Sequence, residues 1–193
     1  MPPVTQALIV ANVIVFLLEL TAAGALLDTF ALWPTPAAVL FAPWRLVTYS
    51  FLHGSLSHIF FNMFAVYMFG GELERLWGGR RFAWTWFASV VTAALTQVLV
   101  GTLAGSGEPV IGASGGVFGL LLCYGVLFPD RQLMLLFPPV PMRAKVFVML
   151  YGALELILGV FGVQAGVAHF AHLGGMLGGW LMLRHYKARP RRW

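Results

Sequence analysis

The sequence predicts an all-α membrane protein, a bundle of six transmembrane helices in one domain, and three observations carry the prediction. Of the 193 residues 60% are apolar and 10% charged, against about 25% charged in an ordinary soluble domain, which excludes a water-soluble globule. The apolar residues gather into six runs, at about 6–27, 56–76, 82–104, 112–128, 144–162 and 167–187, each close to the roughly 20 residues that a bilayer core requires. Six such runs would use about 120 residues, leaving no room for a second domain of about 50 or more. Residues 1–193 are therefore expected to form a single integral membrane domain.

Turn-like stretches bound the runs in order. Trp33-Pro34-Thr35-Pro36 follows the first, and Gly78-Gly79-Arg80-Arg81 separates the second from the third. Gly105-Ser106-Gly107-Glu108-Pro109 closes the third; Pro129-Asp130-Arg131 with Pro138-Pro139-Val140-Pro141 closes the fourth. Gly162-Val163-Gln164-Ala165-Gly166 divides the fifth from the sixth, although residues 146–183 hold one formal charge, Glu155, so a five-span reading would merge two helices there. Residues 1–7 carry no Lys or Arg ahead of the first run, which is therefore expected to be retained rather than cleaved as a signal.

Basic residues near span ends set orientation. Arg75, Arg80 and Arg81 follow span 2, and Arg131, Arg143 and Lys145 lie around the connection from span 4 to span 5. Arg184, Lys187, Arg189, Arg191 and Arg192 end the chain; Arg45 alone lies on the other side. Both termini are thus expected in the cytoplasm, and spans 2, 4 and 6 run from outside to inside. Twelve Lys and Arg against seven Asp and Glu leave a net charge of +5, and its clustering beside the spans points to an anionic leaflet rather than to nucleic acid. The single cysteine, Cys123, can form no intrachain disulfide.

Polar groups within spans are costly and mark function by default. Three clusters qualify, all toward the outer ends of the even spans. His58 and Asn62, four apart and so on one helical face, follow His53 at the start of span 2. Gly112-Ala113-Ser114-Gly115-Gly116-Val117-Phe118-Gly119 puts a serine at the opening of span 4 with an aromatic ring one turn on. His169 and His172 open span 6, ahead of Gly174, Gly175, Gly178 and Gly179. The small-xxx-small pairs Gly112/Gly116, Gly115/Gly119, Gly174/Gly178 and Gly175/Gly179 permit close helix approach. If spans 4 and 6 meet there, an imidazole can take the hydroxyl proton that makes serine a weak nucleophile.

Each element has a plainer reading: a serine at a Gly-rich helix opening is ordinarily a cap, and a membrane histidine is structural about as often as not. His169 is the alternative base to His172, though it lacks the glycine face. Glu155 reads as a buried, hydrogen-bonded or protonated carboxyl, and Glu72 and Glu74 as structural groups at the inner end of span 2. No His-Glu-x-x-His occurs, which disfavours a metalloprotease; the aspartates, Asp28 and Asp130, both flank spans, which disfavours aspartyl chemistry. A small transporter is a rival from another class, but no two halves repeat and the polar set lies near the outer ends rather than the midplane.

The ordered set His53-x4-His58-x3-Asn62, Gly112-Ala113-Ser114-Gly115 and Ala171-His172-Leu173-Gly174-Gly175 resembles the rhomboid intramembrane serine proteases. Trp44-Arg45 and Gly70-x3-Glu74-x3-Gly78 add to the likeness, which runs from residue 44 to 179. The resemblance implies the basic six-helix rhomboid bundle, with Ser114 as nucleophile, His172 as general base and no third acidic member. It implies an oxyanion hole of His58, Asn62 and the Ser114 amide, with His53, Gly112, Phe118, Glu74 and Arg45 in support. Phe118 is a departure, since the family often has tyrosine there: the ring is kept and its hydroxyl is lost. Implied substrates are transmembrane helices of other proteins, cut near the outer face without metal or cofactor, in the bacterial plasma (inner) membrane. An inactive relative that binds membrane clients is the rival within the fold.

Overall fold

In the computed structural model, which describes residues 1–105, 107–134, 139–161 and 168–188, six long helical segments stand where the sequence predicts six spans. Helix α1 (Pro3–Phe30) begins with proline in its first turn, where the missing N–H costs nothing. Two neighbouring donors that its first turn leaves over are taken by Glu74. That buried carboxylate accepts from the Val4 amide (2.9 Å), the Thr5 amide (2.7 Å) and the Thr5 hydroxyl (2.7 Å), so it ties the C-terminal end of the second span to the start of the first. The other end of α1 is capped by the loop that follows. Trp44 Nε1 (3.0 Å) and Arg45 Nε (3.2 Å) donate to the Thr29 carbonyl, and the Arg45 guanidinium also reaches the Asp28 carbonyl; a cation is favoured at a helix C-terminus. Arg45 and Glu74 thus serve the two ends of one helix.

The connection from Ala31 to Gly54 holds two short helices, α2 (Pro36–Phe41) and α3 (Arg45–Thr48), and a 3-10 turn at Tyr49–Phe51. The second span then runs as one rod: α4 (Leu56–Ala65), a π-turn (Val66–Gly70) and α5 (Gly71–Trp77). Its start is capped by the Ser55 hydroxyl, which accepts from the His58 amide at 3.1 Å. Gly78, at φ 80°, breaks the chain before α6 (Gly79–Ala104). The turn expected at Gly78–Arg81 is therefore a single residue, with Gly79, Arg80 and Arg81 already helical. The remaining segments are α7 (Ser114–Leu127), α8 (Ala144–Phe161) and α9 (His169–Ala188).

Between α7 and α8, where the sequence predicts turns, the described residues form a hairpin of β1 (Gln132–Met134) and β2 (Pro141–Arg143), paired antiparallel with Leu133 opposite Met142. Its base is laced by charge: Arg131 reaches Glu72 at 3.0 Å and Lys145 reaches Asp130 at 2.8 Å. The Lys145 hydrogen bond and charge hold the exposed Asp130 carboxyl below its ordinary pKa. The turn expected at Gly162–Gly166, Pro138, Ser106 and the tail arginines Arg189, Arg191 and Arg192 lie outside the described residues.

Helices α1, α6 and α8 are long and apolar enough to cross a membrane. Both α1 and α8 expose aliphatic residues such as Leu17, Leu20, Leu154 and Ile157, as a lipid-facing helix does. The interior is α7, with ten of its fourteen residues buried, flanked by α6 and α9. At 1.5 Å per residue those fourteen residues reach about 21 Å, short of the roughly 30 Å hydrocarbon core.

Candidate active site

The chain enters α7 along a path held at three points. Val110 and Leu32 exchange both backbone hydrogen bonds (2.8 and 3.0 Å), the Gly112 amide donates to the Tyr49 carbonyl (3.0 Å), and the Tyr49 hydroxyl donates to the Val90 carbonyl of α6 (2.9 Å). Gly112 sits at φ 121°, and a Cβ there would stand 2.7 Å from Cε1 and Nε2 of His58. Glycine is needed at this position twice over, for the backbone angle and for the imidazole beside it.

Helix α9 brings the histidines by lying against two helices at once. Gly174 and Gly178 face α6, where a Cβ on either would run into Thr96, Thr92, Ser89 and Ala88. Gly175 and Gly179 face α7: a Cβ on Gly175 would overlap the Gly115 carbonyl, and one on Gly179 would lie 2.5 Å from the Gly119 oxygen. The two small-residue faces, one position apart, are what allow backbone-to-backbone contact. Of the four glycine pairs, Gly115/Gly119 and Gly175/Gly179 make the α7–α9 seam, whereas Gly116 packs on Trp86.

At the end of that seam where α7 and α9 begin, His172 Nε2 lies 2.8 Å from Ser114 Oγ. The serine is partly exposed and the histidine buried. Phe118, one turn after the serine, stacks on the imidazole with ring centroids 4.3 Å apart and planes 7° from parallel, so the ring does the packing without a hydroxyl. His58, on α4, stands with its ring beside Gly112, and Asn62 follows one turn later on the same helix. Asn62 is buried and spends one N–H on the His58 carbonyl (3.1 Å), which leaves its second N–H and the His58 ring for another acceptor. His53 meets His58 edge-on at 4.9 Å, and its amide donates to the Glu19 carboxylate at 3.0 Å. His53, His58 and Gly112 therefore form one wall of the site, and Glu74 and Arg45 act at a distance from it.

His169 does not share the serine. Its Nδ1 meets Glu155 Oε2 at 2.6 Å, and the same oxygen lies 2.9 Å from His172 Nδ1, off the line along which that N–H would point. Glu155 is buried and hydrogen-bonded, as expected from the sequence, but its partners, the two histidines of α9, were not foreseen. The available signal was its position: it lies six residues before the end of α8 that leads toward α9.

Glu155, His169 and His172 have ligand atoms all within 4.8 Å of one another, a set that could in kind hold a metal ion. The separations of 2.6 and 2.9 Å are those of direct contact, whereas ligands bound tetrahedrally to zinc at about 2.0–2.1 Å stand about 3.3 Å apart. As arranged, Glu155 Oε2 stands in direct contact with both imidazoles.

Residues 41–188 match the family model of the Rhomboid domain. The chain belongs to the rhomboid family. It is 30% identical over 185 residues to the rhomboid protease GlpG of Serratia proteamaculans (strain 568), and 28% over 184 residues to that of Yersinia pestis (strain Pestoides F). Each match covers 93% of this rhomboid and 61% of the relative, so the chain spans about three fifths of the length of these curated relatives. Within the rhomboid frame, the carboxylate of Glu155 against both histidines is a feature that the motif resemblance does not imply.

Proposed function

We propose that this rhomboid is an intramembrane serine protease that cuts transmembrane segments of other proteins near the outer face of a bacterial inner membrane. The observation that supports it most is the 2.8 Å contact between Ser114 Oγ and His172 Nε2, within the reach a nucleophile and its base require. In the acylation step the Ser114 oxygen bonds to the scissile carbonyl carbon while its proton passes to His172 Nε2, and the carbonyl π electrons move to the oxygen. Collapse of that oxyanion breaks the C–N bond, and the leaving amine takes the proton from His172. Water then attacks the Ser114 ester, giving its proton to His172; the new carboxyl product departs and the proton returns to Ser114.

Negative charge on the former carbonyl oxygen needs donors already aimed at it. The second Asn62 N–H, the His58 ring and the Ser114 amide are the candidates on that side of the serine. Water must reach a serine set within the membrane. The non-helical segment from Gly107 to Ala113 leads to it, and such backbone is tolerated at membrane depth where it is buried in protein or lines a wet cavity. Placing the cut near the outer face follows from the orientation set by the basic residues, with both termini in the cytoplasm.

The test is covalent labelling of the purified protein with a fluorophosphonate. Labelling of wild type and its loss in Ser114→Ala and His172→Ala, each checked for an unchanged melting curve, is the expected result, together with loss of cleavage of a model transmembrane substrate. Equal labelling of wild type and Ser114→Ala would remove the hydrolase reading.

A further inference from the structure

Glu155 is buried on a helix whose outward face is aliphatic. A carboxylate in that position is held only where partners offset its desolvation, and both of its partners open the same helix: His169 Nδ1 at 2.6 Å and His172 Nδ1 at 2.9 Å, each to Oε2. The far nitrogen of His172 meets Ser114 Oγ at 2.8 Å. Carboxylate, imidazole and hydroxyl thus stand next to one another, contributed by the three helices α8, α9 and α7.

We propose that Glu155 is a positioning residue for the Ser114–His172 pair, so that this rhomboid works with a Ser–His–Glu set instead of a bare dyad. The inference rests on the serine hydrolase reading above. A carboxylate at Nδ1 keeps the imidazole proton on that nitrogen, which turns the lone pair of Nε2 toward the serine hydroxyl, and it stabilises the imidazolium formed when His172 takes the serine proton; the carboxylate itself takes up no proton. Two constraints then fix the ring. Phe118 sets its plane by stacking, and Glu155 sets its rotation within that plane. His169 holds the carboxylate through the shorter, aligned bond. The Glu155–His172 approach is near in distance and off in angle, as hydrogen bonds of free active sites often are before substrate tightens them.

Among the described residues, few titratable or charged groups face His172. Ser114 faces it from α7, Glu155 from α8, His169 from its own helix, and His58 interacts with it from α4. Tyr151 lies behind Phe118, and α6 carries its charges, Arg80 and Arg81, at its far end.

Fluorophosphonate labelling rates measured against pH in detergent micelles, for wild type, Ser114→Ala, Glu155→Gln and Glu155→Asp, test the proposal. In Glu155→Gln the rate should fall between about 10²- and 10⁴-fold. Its acidic limb should move to lower pH by about 1–3 units, because the imidazolium has lost its counter-charge. Glu155→Asp keeps the charge, so it should regain part of the rate and leave the acidic limb where wild type has it. A Glu155→Gln protein that labels at the wild-type rate, or slowly with an unmoved acidic limb, would overturn the proposal and leave Ser114 and His172 as a dyad. Equal labelling of wild type and Ser114→Ala would instead defeat the hydrolase reading itself. Should Glu155→Gln fail to fold, nitrogen NMR of wild type labelled at histidine decides: His172 must carry its neutral-form proton on Nδ1, and a proton on Nε2 would refute the role.

Discussion

Replacing Gly179 by alanine isolates the α7–α9 seam from the chemistry, because Gly179 lies two helical turns, about 10.5 Å, from His172. Its Cβ would stand 2.5 Å from the Gly119 carbonyl oxygen, 3.0 Å from the carbonyl carbon and 3.1 Å from Cα. All three are backbone atoms, so no side chain can rotate away, and bringing the oxygen to the 3.4 Å of ordinary contact means parting the helices by about 0.9 Å. Carried undiminished to the outer end, that displacement would stretch the 2.8 Å Ser114–His172 contact to about 3.7 Å, outside hydrogen-bonding range. A misplacement of about 1 Å can cost about 10²-fold in rate, and overpacking of this kind about 1–3 kcal/mol in stability. Gly179→Ala should therefore label with fluorophosphonate about 10²-fold more slowly than wild type and melt at a lower temperature. Gly24→Ala, where an added Cβ meets nothing within 4 Å, should match wild type in rate. A folded Gly179→Ala protein that labels at the wild-type rate would show that the glycine seam does not hold the serine and histidine together.

Asn62→Ala and His58→Ala should each lose roughly 10²- to 10³-fold in turnover of a transmembrane substrate, with losses in the double variant that are not additive because both donors serve one charge; wild-type turnover in the double variant would return both to structural roles. Glu74→Gln should lower stability by about 1.5–3 kcal/mol, read by thermal melting, since one amide oxygen cannot accept from Val4, Thr5 and the Thr5 hydroxyl together; the serine should still label. For orientation, Gly107→Cys in a Cys123→Ala background should react with an impermeant maleimide added outside intact cells, and Asp130→Cys in the same background should not. The opposite pattern would invert the bundle.

Much of the arrangement was legible because it depends on residue types that have few other reasons to occur in a membrane. Small-xxx-small spacing marked the α7–α9 seam, and a serine and histidines at the openings of even spans marked residues that the fold could bring to one depth. What could not be read were features that arise between segments. The helices α2 and α3 and the β1–β2 hairpin are short and carry no periodicity of useful length. Arg80 and Arg81 looked like a turn because Gly78-Gly79 precedes them, yet a single positive φ at Gly78 suffices and the arginines enter α6. The cap on α1 is a contact between residues about 70 apart, which no local pattern encodes.

Glu155 is buried and hydrogen-bonded as the sequence leads one to expect, but its partners come only from the fold. In the sequence it is a lone charge in an aliphatic run, and a lone buried carboxyl in lipid is reasonably read as hydrogen-bonded or neutral. In the fold the bundle interior that α8 shares with α9 supplies two imidazoles to one carboxylate oxygen. The cost of burying the charge is then offset by the two imidazoles. His172 would otherwise be oriented by a stacked phenylalanine, which fixes a plane and leaves rotation within it free. A tyrosine at position 118 would offer a hydroxyl to hydrogen-bond, and this chain has none there. The carboxylate from the neighbouring helix stands 2.9 Å from the other edge of the imidazole, where, in the role proposed for it, it supplies a polar restraint that phenylalanine cannot. On this view Phe118 and Glu155 are complementary: the aromatic ring packs the base, and the acid orients it.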